Sequence, residues 1–422
     1  MLIEFTVGNF LSFNTKRTLS FKAAAISDLD NVFTIDNYKL LRSAVVYGAN
    51  SSGKSNLIKA LDRMRNVLLN SVKLNDKDPL DYSPFLLSEQ SEHAPTHFEA
   101  EFLIAGKTYR YGFEYSLESI LNEWLFVKNG PNNKEITLFI RTPEGIGVAD
   151  AFDEGKRKEE ATNDNRLYVS LVAQLGGEIS KQIMEWFRSY NVISGLAHQD
   201  YHGFTMRMLH DKNKGCEQAL SLFQKLKLGF QEIMVKETEF NTSELPLNLP
   251  DSVKSQISKD LTGKKILAIK TMHNKYNSQG MIVDSVPFDK DNNESEGTKK
   301  IIDLAGPTFD SLLKGRMLIV DELDAKLHPL LTIQLVRLFN NKDTNPNNSQ
   351  LLFATHDTNL LNADLFRRDQ IWFAEKDEFE QTDLYNLVEF KLPDGTKVRN
   401  DSNLEKNYIR GRYGAIPYIN GF

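Results

Sequence analysis

Hydrophobic and polar positions alternate at the start of the chain and again near residue 100. MLIEFTVGNFLSF, residues 1–13, reads as a strand; Phe98, Ala100, Phe102 and Ile104 alternate with polar residues, and after Gly106 and Lys107 so do Tyr109, Tyr111, Phe113 and Tyr115. A period of two sends successive side chains to opposite faces, so the pattern predicts an antiparallel hairpin, continued by Trp124 and Phe126. From about Glu154 to Asp260 the period lengthens: Ile179, Ile183 and Phe187, then Leu220, Phe223 and Leu226, recur at helical spacing, which predicts a helical insertion. After Ile266 strand-like patterns return. The run from Arg316 to Glu322 is apolar until its two final acids, the pattern of a parallel strand buried on both faces.

Composition narrows the classes. A chain of 422 residues exceeds one simple core. With 41% hydrophobic and 26% charged residues it is not a disordered chain, and no apolar run approaches the ~20 residues that span a bilayer, so no membrane partner is expected. The start carries Glu4 and no basic leader, and Cys216 is the single cysteine, which excludes an intrachain disulfide and a cysteine-based zinc site. A cytoplasmic protein is expected. The net charge of −6 provides no global field for nucleic acid, leaving only local basic patches.

The chemistry begins with Gly48-Ala-Asn-Ser-Ser-Gly-Lys-Ser55, which meets the pattern G-x-x-x-x-G-K-[ST] between an apolar run, Ala44 to Tyr47, and a helix-like stretch from Asn56. Gly48 and Gly53 let the backbone N–H groups of Ala49, Asn50, Ser51 and Ser52 wrap phosphates, Lys54 reaches the β- and γ-phosphates, and Ser55 would ligate Mg²⁺. Such a site needs an acid at the end of a buried strand. Asp321 would hold Mg²⁺ and Glu322 would orient or deprotonate the attacking water, since phosphoryl transfer depends on positioning. Guanine-reading N-K-x-D is absent, because Asn341-Lys342 is followed at once by Asp343, so ATP is the expected nucleotide. Lys54 and Asp321 lie further apart than a typical domain of ~100–150 residues, so the core is split by the insertion. Two decoys stand apart. Gly106-Lys107-Thr108 lacks the earlier glycine, having Glu101 there, and reads as a hairpin turn; His198 and His202 are spaced i, i+4 but lack the glutamate of a zinc helix.

The segment Glu294-Ser-Glu-Gly-Thr-Lys-Lys300 resembles the signature loop of ABC-class ATPases in an S-x-G-T form. Asp324-Ala-Lys-Leu-His-Pro329 is similar to the D-loop, and Ala354-Thr-His-Asp357 resembles the strand end that carries the switch histidine, His356. Within that class, Asn9-Phe-Leu-Ser-Phe13, GANSSGKSNLIKAL and Arg410-Gly-Arg-Tyr-Gly-Ala-Ile-Pro417 resemble the stand-alone ATPases of bacterial phage-defence and abortive-infection pairs, of the RloA, AbiL and PARIS type, related to OLD, RecF and SMC proteins. The resemblance covers most of the chain and thins over residues 130–260.

It implies an α/β fold: an ABC-type P-loop NTPase with an antiparallel β subdomain and a helical insertion. Residues 1–153 would form the N-terminal part of the core, 154–260 the insertion, 261–390 the C-terminal part and 391–422 a tail. It implies ATP and Mg²⁺ as cofactors, with Lys54, Glu322 and His356 catalytic, Gly48 to Asn56 binding nucleotide, and Ser55 and Asp321 on the metal. It further implies a homodimer or higher homo-oligomer in which Ser295, Gly297 and Thr298 of one copy cap the γ-phosphate held by Lys54 of the other, with Asp324 also acting across the dimer. A separate effector, a Toprim-like nuclease or toxin encoded nearby, and a phage-encoded trigger complete that reading. The alternative is a RecF- or SMC-like DNA-binding repair ATPase. The signature lacks the two glycines of the transporter form, and Gln90 lies in a plausible stretch for the Q-loop without being assigned to it. The basic tail, Leu404 to Arg412, either docks a partner or packs as a terminal helix.

Overall fold

The computed structural model describes residues 1–197, 201–239, 250–261, 265–392 and 395–417. In chain order its strands are β1 (Leu2–Gly8), β2 (Arg17–Ser20), β3 (Val32–Ile35), β4 (Tyr38–Leu41), β5 (Ser43–Tyr47), β6 (Thr96–Ile104), β7 (Lys107–Tyr115), β8 (Ile120–Lys128), β9 (Ile136–Thr142), β10 (Gly145–Val148), β11 (Asn191–Ser194), β12 (Glu232–Glu239), β13 (Lys265–Tyr276), β14 (Ile282–Asp289), β15 (Met317–Asp321), β16 (Gln350–Ala354), β17 (Ile371–Lys376) and β18 (Thr382–Asn386). The helices are α1 (Lys54–Asn70), α2 (Tyr168–Gln174), α3 (Glu178–Ser189), α4 (His202–His210), α5 (Cys216–Leu226), α6 (Asp251–Leu261), α7 (Lys290–Asn293), α8 (Glu296–Lys314), α9 (Pro329–Asn340) and α10 (Leu404–Ile409).

Two compact units result. The first comprises Met1–Leu196, Lys314–Ala325 and Pro329–Phe422; the second comprises Ala197–Leu313 and Lys326–His328. In the first, a seven-stranded antiparallel sheet runs in the order β10-β9-β8-β7-β6-β1-β2. Its hairpin turns at Ala105 and Gly106, both at positive φ, so Gly106-Lys107-Thr108 is the hairpin turn that its sequence predicts. Phe98, Tyr111, Phe113 and Tyr115 point into the core, and Trp186 of α3 stacks on Phe102 at 4.1 Å.

The second sheet of this unit runs β11-β15-β16-β5-β17-β18, parallel except for β18. Every residue of β5 and β16 is buried, as expected for strands covered on both faces. The tail packs on this sheet: Tyr408 of α10 stacks on Phe373 at 5.4 Å, and Tyr385 donates its hydroxyl proton to the carbonyl of Tyr413.

The expected helical block 154–260 is divided differently. Helices α2 and α3 belong to the first unit, and β11 joins its parallel sheet. The second unit is mixed, with helices beside a three-stranded antiparallel sheet, β12-β13-β14. A helical period shows that one face is buried but not against which sheet, and β11 has only four residues. Among the described residues no helix is long and apolar enough to cross a membrane.

Candidate nucleotide site

Three parallel strands of the first unit, in the spatial order β15, β16, β5, end side by side. Ligands of open α/β sheets bind beyond the carboxyl ends of such strands. The loop Gly48–Gly53 follows β5, Glu322 follows β15, and His356 stands two residues past β16.

Both glycines of the phosphate loop are required by their surroundings. Gly48 has φ 156°, and a Cβ there would lie 2.3 Å from the Ala374 carbonyl and 2.4 Å from Ser52 Oγ. Gly53 has φ 107°, and its Cβ would lie 2.1 Å from Thr382 Oγ1. Helix α1 starts at Gly53 with no capping side chain and no acid in its first turn. Its first N–H groups are therefore open to an anion, where the helix dipole also favours negative charge. Lys54 is 5% exposed, and its Nζ donates to the carbonyls of Gly48 and Ala49 at 2.8 and 2.9 Å. Burial lowers its pKa to about 8, opposed by Asp321, Glu322 and Asp324.

Asp321 closes β15, and its Oδ1 is buried without a hydrogen-bond partner among the described residues, as is Oδ1 of Asp324. A buried acceptor left unpaired costs about 1–3 kcal/mol, so both oxygens are suited to face a cation or a donor. Glu322 holds a left-handed backbone, φ 52°, which costs a non-glycine residue roughly 1–2 kcal/mol. Gly195, just beyond β11, donates its N–H to the Asp321 carbonyl at 2.6 Å, and a Cβ on it would meet the Glu322 carbonyl at 2.0 Å. Asp324 Oδ2 accepts the backbone N–H of His356 at 3.4 Å. Partial burial, then the charge of Lys54, lowers the pKa of His356 below its ordinary 6.5, so the ring is neutral at pH 7.

Residues 50–56, Glu322 and His356 line one polar cleft of about 550 Å³ together with Ser12 and Lys376. Asp321 sits beside it, close enough to act on Lys54. Four contributors escape a reading of local pattern: Ser12, Gly195, Lys376 and Thr382. Thr382 Oγ1 lies 2.7 Å from Ser12 Oγ and 2.9 Å from the Ser52 carbonyl, and Asn56 Nδ2 donates to Ser12 Oγ, so this group braces the loop from beneath. Gln90 is exposed and is not among the residues lining the cleft. Asn9 of the N-F-L-S-F segment is a brace, its side chain bonded to the carbonyl of Ser91 and the N–H of Phe85.

The signature segment belongs to the second unit. Ser295 Oγ accepts the N–H of Thr298 at 3.2 Å, a helix-capping arrangement at the start of α8. A Cβ on Gly297 would lie 3.0 Å from the Lys326 carbonyl, and Glu296 joins Lys326 at 2.9 Å, so signature and D-loop residues form one surface. His198 lies outside the described residues; His202 Nδ1 pairs with Asp303 at 3.1 Å inside a cluster that includes Lys290. Cys216 is buried.

No curated protein matches the chain. Similar solved structures include the SMC head domain from Thermotoga maritima (13% identity, 91% of this chain and 98% of that one, TM-score 0.40). An SmcHead bound to the C-winged helix domain of ScpA follows (14%, 92% and 98%, 0.45), and an Smc head with an extended coiled coil bound to the C-terminal domain of ScpA derived from Pyrococcus furiosus (12%, 92% and 96%, 0.40). A family model matches residues 43–362, from the strand before the phosphate loop to just past His356. With the P-loop, the acid strand and the histidine all inside that span, the chain belongs to the P-loop ATPase family described as "AAA domain, putative AbiEii toxin, Type IV TA system".

Proposed function

We propose that the chain binds ATP with Mg²⁺, closes around it as a homodimer, hydrolyses it, and through that cycle controls a separate effector, a nuclease or toxin, in defence against phage. The observation that carries the reading is the convergence of Lys54, Ser55, Glu322 and His356 on one polar cleft beyond three adjacent parallel strands.

The N–H groups from Ala49 to Lys54 hold the phosphates, and Lys54 exchanges its two loop carbonyls for phosphate oxygens. Ser55 and Asp321 would hold Mg²⁺, and Asp321 Oδ1, buried with no partner among the described residues, fits that task. The metal, when bound, neutralises charge on the phosphates. Glu322 orients the attacking water and takes its proton, while His356 contacts the water or the γ-phosphate. Ser295, Gly297, Thr298 and Asp324 of the second copy complete the site, with the start of α8 presenting donors and a positive dipole end.

The family name, with its toxin and toxin–antitoxin terms, supports a role beside an effector. The test is co-expression with the neighbouring gene under phage challenge. Lys54→Ala should abolish protection; protection that survives it would remove the basis of this reading. In vitro, Glu322→Gln should retain ATP and double the mass seen by light scattering when ATP is added.

A further inference from the structure

The loop that opens with Ser295 is anchored from behind by a buried carboxylate. Glu294 Oε1 accepts a hydrogen bond from His273 Nε2 at 2.8 Å and another from Thr271 Oγ1. Its side chain is 7% exposed, and Thr271 is fully buried. Both donors stand on β13, the central strand of the three-stranded sheet, where Thr271 faces Ile233 of β12 and Phe288 of β14. The His273 ring stacks on Phe288 at 4.3 Å, which fixes the direction of its N–H. A buried carboxylate is costly unless its hydrogen bonds are made, and an apolar side chain would fill the same space without that cost. Two directional bonds fix the position of Glu294 in a way an apolar contact cannot.

The next residue is Ser295, whose hydroxyl sits on Thr298 at the head of α8. On its other side Glu296 is tied to Lys299 and Lys326. The serine therefore has an ion-paired neighbour in front and a sheet-bonded neighbour behind. The same strand runs on from His273 to Tyr276, and the hairpin tip exposes Tyr276, Met281, Ile282 and Val283, each more than half accessible. One continuous pair of strands thus links a surface apolar tip to the base of the signature loop.

We propose that Glu294, held by Thr271 and His273, is a positioning residue that sets Ser295 for the nucleotide of the partner copy, so that the state of the β12–β14 sheet governs dimer closure and hydrolysis. This rests on the ATP-dependent dimer proposed above. Glu294 contacts no nucleotide; it acts through Ser295.

The test uses the full chain carrying Glu322→Gln for dimerisation and the otherwise native chain for turnover. Glu294→Ala should weaken ATP-dependent dimerisation at least tenfold by sedimentation and lower kcat by a similar factor. ATP affinity in dilute protein should stay within twofold, because Lys54 and its loop are untouched. Glu294→Gln keeps an oxygen for both donors and should return dimerisation to within threefold of the parent. Thr271→Val removes one donor with little change of volume and should show an intermediate loss, which guards against a Glu294→Ala variant that fails to fold. Ser295→Arg serves as the reference for a broken signature. If Ser295→Arg blocks dimerisation while Glu294→Ala and Thr271→Val match the parent, the clamp is overturned and the dimer reading stands. If Ser295→Arg also matches the parent, the dimer reading fails and the clamp falls with it.

Discussion

The carboxylate of Asp324 accepts the backbone N–H of His356, joining the turn after the acid strand to the end of the neighbouring strand. The contact is long, 3.4 Å, and the second carboxylate oxygen is buried with no partner among the described residues, so this aspartate is not spent on holding the fold together. If it serves the site across a dimer, Asp324→Ala should lower turnover by roughly tenfold to a hundredfold, the effect of removing one positioned group near a transferring phosphoryl. ATP affinity should change less than threefold and thermal stability little. Steady-state hydrolysis together with a fluorescent-nucleotide titration would decide it; a parallel loss of affinity and stability would make Asp324 structural.

Gly195 carries a sharper structural expectation. A methyl group there would press on the Glu322 carbonyl from 2.0 Å, in a turn already held in a left-handed conformation. Gly195→Ala should move Glu322 and lower kcat by an order of magnitude or more, with a loss of stability of about 1–3 kcal/mol from overpacking. Retained turnover in the folded variant, measured by phosphate release, would show that Glu322 tolerates displacement.

How legible this was in the sequence depends on distance along the chain. The phosphate loop is a local pattern, and the apolar run to Asp321 identifies a buried strand without help from elsewhere. His356 is found only through resemblance, because a lone histidine after an apolar run has no local mark. Thr382 and Ser12 meet across most of the chain; Ser12 lies in the N-terminal alternating run, but nothing in that run or around Thr382 points to the phosphate loop they brace. Gly195 is invisible for the same reason: its need for a missing side chain arises from the Glu322 carbonyl, which the fold brings to it. The strand β12 is hidden inside the helical pattern of 154–260 because its apolar run, Ile233-Met-Val235, is only three residues long and shows no period of two.

Thr382 tests whether the brace beneath the loop matters for binding. Its hydroxyl donates to Ser12 or to the Ser52 carbonyl, and all three groups are buried. Thr382→Val keeps the shape and removes the hydroxyl, taking its donor from the buried Ser52 carbonyl at a cost of about 1–3 kcal/mol, while Ser12 keeps the bond from Asn56. Part of that cost should appear as an ATP affinity weaker by roughly three- to thirtyfold. Thr382→Ser should bind ATP like the parent. Equal affinities for all three proteins would remove the brace from the account.

Lys54 supplies the pH dependence. In the nucleotide-free protein burial lowers its pKa from 10.5 to about 8, so between those values the folded protein holds fewer protons than the unfolded chain, and its stability rises with pH across that window. Phosphate oxygens beside the ammonium favour its charged form and raise the pKa again. ATP binding above pH 8 should therefore take up a proton, and affinity should fall with rising pH by up to tenfold per unit. Below about pH 7.5, where Lys54 is already charged, neither effect should come from this residue. Calorimetry at pH 7 and pH 9 in buffers of different ionisation enthalpy measures the uptake directly. Lys54→Arg, charged at every accessible pH, should bind without the uptake whatever its loss of affinity. Equal proton uptake by that variant at pH 9 would assign the titration to another group and leave Lys54 charged before the nucleotide arrives.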